Sequence, residues 1–172
     1  MTEPLAVAAI NAMDRQAFVA AFGDIAEHSP WVAERAANAR PFTNRDSMIA
    51  AFADAILSAE ETMQLDLLNA HPDLAGRAAV SGEIGADSRL EQAGAGLDQL
   101  NRDEFERFTR LNTSYRDKFG FPFILAVRGA TKHDILASFE AQIGNDRAGE
   151  LSTALQQVCR IMRFRLEDRI AE

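Results

Sequence analysis

Apolar residues recur three and four positions apart along nearly the whole chain, and the strict alternation that marks a half-buried strand is almost absent. The spacing predicts a first helix over residues 14–27, with Phe18, Phe22 and Ile25 on one stripe. His28-Ser29-Pro30-Trp31 then restarts the chain, Ser29 being suited to an N-cap and Pro30 to the first helical position. The shorter helix that follows should stop near Arg40-Pro41, because the residue before a proline is driven out of helical geometry. Thr43 and Asp46 have the spacing of a capping box, with Asp in place of Glu. The helix they open turns Met48, Phe52 and Ile56 inward and, if it continues, Met63 and Leu67.

From His71 to about Asp87 the periodicity lapses around Pro72, Gly76, Gly82 and Gly85. A long irregular connection inside a domain is more often functional than accidental. Ser88 then opens a helix with Leu90, Ala93 and Leu97 towards the core, and Asn101 with Glu104 starts another that carries Phe105, Phe108, Leu111 and Tyr115. Gly120, inside Phe119-Gly120-Phe121-Pro122-Phe123, suits a left-handed C-cap. Phe123 to Val127 is compatible with a strand-like stretch, an extended link or a helix start. Thr131 and Asp134 repeat the capping spacing before Ile135, Leu136 and Phe139. A last helix begins around Asn145-Asp146 and runs to about Ile170, with Leu151, Leu155, Val158, Met162 and Leu166 inward. Without repeats or linkers, these elements predict an all-α fold, a single multi-helix bundle domain over residues 1–172.

Composition narrows the function classes. A net charge of −8 argues against an electrostatic grip on nucleic acid or anionic lipid. The N-terminus shows no basic region before its short apolar stretch, and no run approaches a membrane span, so a soluble, cytoplasmic protein is expected. The single cysteine, Cys159, precludes an intrachain disulfide and reads as a packed or half-exposed thiol.

Three regions could carry chemistry. His71 lies in the irregular segment before Pro72, whose ring restricts the local backbone, and an imidazole is suited to proton transfer near neutrality. A plain helix-terminus turn explains the same residues. Asp73 could pair with His71 or cap a turn at Leu74. His28 and His133, beside helix starts, read as partly exposed cap neighbours. No histidine pair or further ligand cluster suggests a metal. Ser88, Glu91 and Gln92 make a capping box that needs no function, yet their hydroxyl, carboxylate and amide also sit where first-turn N–H groups favour an anion. The Phe119–Phe123 segment is either core packing or the apolar wall of a slot for a planar heterocycle. Arg163 or Arg165 could turn inward and bind a carboxylate. On residues alone, a non-catalytic helical module stands as an alternative.

The ordered segments Ala70-His71-Pro72-Asp73-Leu74-Ala75-Gly76, Ser88-Arg89-Leu90-Glu91-Gln92, Ala95-Gly96-Leu97 and Phe119-Gly120-Phe121-Pro122-Phe123-Ile124 resemble the OHCU decarboxylase family. The likeness extends over nearly the whole chain, through Ser29-Pro30-Trp31, Arg40-Pro41-Phe42 and Arg163-Phe164-Arg165-Leu166. It departs slightly at Asp87, where relatives often have Glu. The resemblance implies an all-α, cofactor-free, dimeric enzyme acting on 2-oxo-4-hydroxy-4-carboxy-5-ureidoimidazoline, the intermediate before (S)-allantoin in urate breakdown. It implies His71 as the catalytic histidine, with Glu91 orienting it or sharing its proton, and Pro72 in the pocket wall. Ser88, Arg89, Leu90, Glu91 and Gln92 would hold the ligand, the backbone of Phe123, Ile124, Leu125, Ala126 and Val127 would close on it, and Arg163 or Arg165 would contribute from the last helix. No metal is implied. A different lyase or hydrolase of a small ureido compound is the competing enzymatic reading.

Overall fold

The computed structural model describes residues 2–76 and 84–172. The central part of the irregular segment, residues 77–83, lies outside them. Among the described residues there are nine α-helices and one 3-10 turn, and no strand beyond an isolated bridge between Leu5 and Ile170. The chain gathers into two compact units, residues 1–70 with 158–172 and residues 71–157.

The first unit contains α1 (Val7–Asn11), α2 (Arg15–Phe22), α3 (Trp31–Ala36), α4 (Arg45–Leu57), α5 (Glu61–Asn69) and the end of α9 (Arg147–Arg169). The five residues of α1 carry too little periodicity to have been anticipated. Phe18, Phe22, Ile25, Val32, Met48, Phe52, Ile56, Leu67 and Leu166 are all buried in this unit. The Phe18 ring lies 5.2 Å from Phe22, 6.1 Å from Phe42 and 6.3 Å from Phe52, each pair tilted.

Several boundaries differ from the expected ones. Asp14 caps α2 through the Ala17 N–H at 2.7 Å, but the helix ends at Phe22, not at residue 27. Turns follow Gly23, and they still deliver Ile25 to the core. Ser29 does not cap α3: Pro30 takes the N-cap place, the Ser29 carbonyl accepts from Val32 N–H at 3.2 Å, and Ser29 is itself buried. The capping box of α4 uses Asn44 and Ser47, one residue beyond Thr43 and Asp46. Asn caps at least as well as Thr, and the displaced Asp46 carboxylate meets Arg163 at 3.3 Å instead. The helix does not continue to Met63 and Leu67: α4 ends at Leu57, and a separate α5 starts at Glu61 and buries Leu67.

The second unit holds α6 (Ala86–Gly94), α7 (Arg102–Phe119), α8 (Lys132–Gln142) and the start of α9. Asn101 caps α7 through Glu104 N–H at 2.8 Å, and Gly120 ends it at φ 81°, where an L side chain would be strained. Thr131 and Asp134 cap α8 reciprocally as expected. The bond Asp134 accepts from the Thr131 backbone, then that from its hydroxyl, holds the Asp134 carboxyl below its ordinary range. Asp146 receives Gly149 N–H at 2.6 Å just before α9, whose inward stripe includes Leu155, Val158, Met162 and Leu166, with Leu151 half-buried.

Two outcomes follow for stability. Thr131→Ala should cost about 0.5–2 kcal/mol in denaturant unfolding, the ordinary worth of an N-cap. Asp24 bonds Arg169 through both oxygens, at 2.6 and 3.1 Å. Burial alone would raise its carboxyl, but the hydrogen bond and charge of Arg169 outweigh it and hold the group below its ordinary 3.8. A depressed folded value adds stability above the unfolded value and loses it as pH falls through the folded one. Asp24→Asn should therefore unfold more easily than the parent at neutral pH, by at most about 1 kcal/mol because the pair is exposed. The difference should vanish in acid titrations below pH 3.8.

Candidate active site

Residues 71–76 leave α5 without entering another helix, so their backbone polar groups need partners from elsewhere. Neighbouring helices supply them. Gln92 of α6 accepts Ala75 N–H at 2.9 Å through Oε1 and donates through Nε2 to the Asp73 carbonyl at 3.4 Å. Asn112 of α7 donates through Nδ2 to the Leu74 carbonyl at 2.9 Å. One turn further along α7, Arg116 Nε reaches Asp73 Oδ1 at 2.9 Å. Three consecutive residues are thus held from two helices. Within this turn Ala75 has φ 52°, a left-handed conformation rare outside glycine. His71 is buried, and Pro72 beside it is half-buried.

The clamp explains why α6 departs from the expected pattern. Its N-cap is Gly85, and Ser88 is the third helical residue, so the Ser88–Glu91 capping box does not form. Leu90 and Ala93 face outward, Leu90 with 72% of its surface exposed, whereas Ser88 and Gln92 are buried one turn apart. Leu97 does join the core. Arg89 is exposed and Glu91 half-buried. The inward stripe of α6 is polar because the Gln92 amide bonds the His71 turn, and this orientation forces Leu90 out.

Residues 122–127 form a connection that is neither helix nor strand. Phe123, Ile124, Ala126 and Val127 are buried and Leu125 is half-buried. Phe123 stacks on Phe139 with centroids 4.0 Å apart, and the Tyr115 ring meets Phe121, Phe123 and Phe139 edge-on. The Ala126 N–H already donates to Gln157 Oε1 at 3.0 Å, and the Val127 carbonyl accepts from Ala130 N–H at 3.0 Å. Behind the rings, the fully buried Glu150 carboxylate accepts the Tyr115 hydroxyl and, at 2.8 Å, the Asn145 amide. Burial, followed by the Glu150 bond and charge, pushes Tyr115 ionisation far above its ordinary range, so the phenol stays a donor.

His71, Pro72, the α6 residues and the 123–127 segment all belong to the second unit. The two arginines belong to the first, and they differ sharply. Arg163 is half-exposed and paired with Glu167 at 3.0 Å and Asp46 at 3.3 Å. Arg165 is 4% exposed and donates to the Ile25 carbonyl at 3.0 Å. Cys159 is half-buried, and burial, then Asp54, pushes its thiol up, as suits a packed side chain. His28 and His133 are exposed. Among the described residues no three of His, Cys, Asp and Glu gather as a metal-binding group, and no helix is long and apolar enough to cross a membrane.

Asn112, Arg116, Glu150 and Gln157 were not singled out from the sequence. A signal existed for two of them. Asn112 falls four residues after Phe108, and Glu150 falls four before Ala154 and eight before Val158, so both are polar residues on an apolar stripe. Asp73 takes Arg116, a partner four helical turns into α7 that no local spacing discloses.

Comparison with known proteins places the family and the fold. The family model for OHCU decarboxylase matches residues 11–167. The 2-oxo-4-hydroxy-4-carboxy-5-ureidoimidazoline decarboxylase of Haloferax volcanii is 44% identical over 162 residues, covering 94% of each chain. A crystal structure of (S)-allantoin synthase superposes with a TM-score of 0.79 at 32% identity, over 98% of this chain. The chain spans 54% of that longer protein. A crystal structure of OHCU decarboxylase in the presence of (S)-allantoin, 18% identical, shares the fold with a TM-score of 0.66 over 91% of this chain and 97% of its own. With a family match over residues 11–167 and a relative 44% identical over 94% of each chain, the chain belongs to the OHCU decarboxylase family.

Proposed function

We propose that this chain decarboxylates 2-oxo-4-hydroxy-4-carboxy-5-ureidoimidazoline to (S)-allantoin and carbon dioxide, as one functional domain over residues 1–172. The observation that carries the reading is the polar inner face of α6, Ser88 and Gln92, beside a clamped turn that presents a buried histidine. A family match that runs through both units supports the single domain.

The reaction needs few groups because the substrate supplies its own electron sink. The bond from the ring carbon to the carboxylate breaks, and its electron pair moves towards the neighbouring ring C=N, whose nitrogen takes a proton from solvent. The product of this step is an enol. Loss of the hydroxyl proton forms the carbonyl, and a proton added to the carbon bearing the ureido group sets the (S) centre. In this reading His71 takes the hydroxyl proton and delivers one to a single face of the ring carbon, with Glu91 orienting the imidazole or sharing its proton. Pro72 contributes pocket wall. Ser88 and the remaining capacity of the Gln92 amide hold the ureido group, with Arg89 and Leu90 flanking them, and the backbone of Phe123, Ile124, Leu125, Ala126 and Val127 excludes water. We take the enzyme to be a cofactor-independent, cytoplasmic homodimer. Light scattering of the purified chain should return twice its 18.9 kDa.

The deciding experiment follows circular dichroism of freshly oxidised urate with and without the protein. Accelerated growth of optically active allantoin is expected, and racemic product at the spontaneous rate in both samples would remove the assignment. His71→Asn should lower turnover by about 10²–10⁴-fold, the usual worth of general acid–base catalysis, with an unchanged far-ultraviolet spectrum. Near-normal turnover would take His71 out of the mechanism.

A further inference from the structure

We infer that Asn112 is a positioning residue: its amide, together with that of Gln92, holds the turn after His71 in a strained conformation and thereby sets where the imidazole stands. The inference rests on the reading of His71 as the proton carrier. Its physical basis is the geometry of residues 73–75.

Ala75 is left-handed at φ 52° and almost fully buried. An L-residue in this region costs on the order of 1–2 kcal/mol, and alanine has no polar side chain with which to offset it. Such a conformation persists only where the surroundings over-determine it. Here they do. Gln92 takes the Ala75 N–H at 2.9 Å, Asn112 takes the Leu74 carbonyl at 2.9 Å, and Arg116 takes the Asp73 carboxylate at 2.9 Å. If Ala75 relaxed, the peptide planes on either side would rotate, and the buried Leu74 carbonyl and Ala75 N–H would both lose their partners.

The cost at Asn112 itself points to geometry over stability. The residue is 6% exposed in the interior of α7, and its buried Oδ1 has no hydrogen-bond partner among the described residues. Leaving a buried acceptor unsatisfied costs about 1–3 kcal/mol, which offsets what the Nδ2 bond contributes. A side chain selected for packing at this position would be apolar, like Phe108 and Tyr115 on the same face. What the amide does provide is a fixed donor on a rigid helix, aimed at the middle of the turn. Only Pro72 separates His71 from the clamped residues. Its ring fixes one torsion and restricts the residue before it, so displacement at Leu74 reaches the imidazole with little slack.

The test compares the parent, Asn112→Ala, Arg116→Gln and the double variant Asn112→Ala with Ala75→Gly. Turnover on freshly oxidised urate and the nitrogen-15 titration of the His71 imidazole are measured in each. Asn112→Ala should lower kcat by up to about 10²-fold, the scale of a misplaced catalytic group, with KM little changed and a displaced His71 titration. Arg116→Gln, on the half-exposed side of the clamp, should do the same to a smaller extent and carries the test if Asn112→Ala does not fold. Glycine adopts φ > 0 without the clamp, so Ala75→Gly should restore much of the kcat and the parental titration. Parental kcat and titration in both single variants would overturn the inference. So would a loss that follows melting temperature and is indifferent to Gly at position 75. If the parent itself shows no turnover, the proposed reaction fails, and the His71 titrations alone decide whether Asn112 positions the imidazole.

Discussion

Buried backbone outside a helix must find hydrogen-bond partners among side chains, and at residues 73–75 that requirement shapes the surrounding elements. Within a helix each N–H and C=O is satisfied locally. The turn after His71 makes one local bond, from Gly76 N–H to the Asp73 carbonyl at 3.3 Å, and for the rest α6 brings Gln92 inward and α7 carries Asn112 and Arg116 one turn apart to meet it. Solvent exposure of Leu90 is the other side of the same orientation. Most of the polar character of the candidate site derives from this single demand.

The second irregular segment is held differently. From Phe121 to Val127 the rings of Phe121 and Phe123 fix the path against Tyr115 and Phe139, and one side-chain bond, from Ala126 N–H to Gln157, fixes the end. Aromatic packing sets position with little directional demand, whereas the Tyr115–Glu150–Asn145 bonds behind it set orientation. The two segments are thus ordered by complementary means, one by amide hydrogen bonds and the other by an apolar wall with a polar anchor.

Helices with a strong apolar stripe and a local cap were readable in the sequence, because both signals lie within a few residues of each other. The caps at Asn101 and at Thr131 with Asp134, and the glycine stop at Gly120, are of this kind. Where two capping residues adjoin, as at Thr43 and Asn44, spacing alone could not choose between them, and the box forms on Asn44 and Ser47. The α6 register was misread for a deeper reason. Periodicity assumes that the buried face is the apolar face, and here a buried turn reverses the rule. His71, Ser88 and Gln92 were identifiable as candidates from residue type and resemblance, yet the roles of Asn112 and Arg116 depend on contacts 38 and 43 residues apart.

The reversed face of α6 also limits how this protein can change. A polar side chain at position 90 would improve solubility, whereas an apolar one at position 92 would leave the buried Ala75 N–H without its partner. The inner edge of α6 is thus fixed by the turn it supports, while its outer face, with Leu90 in solvent, is open to substitution. The Phe18 cluster is constrained differently: its rings pack on one another, and the Arg40 guanidinium lies 4.9 Å from the Phe18 ring centre. A lineage of such enzymes under pressure for heat tolerance would find its room for change in the first unit and almost none along the inner edge of α6.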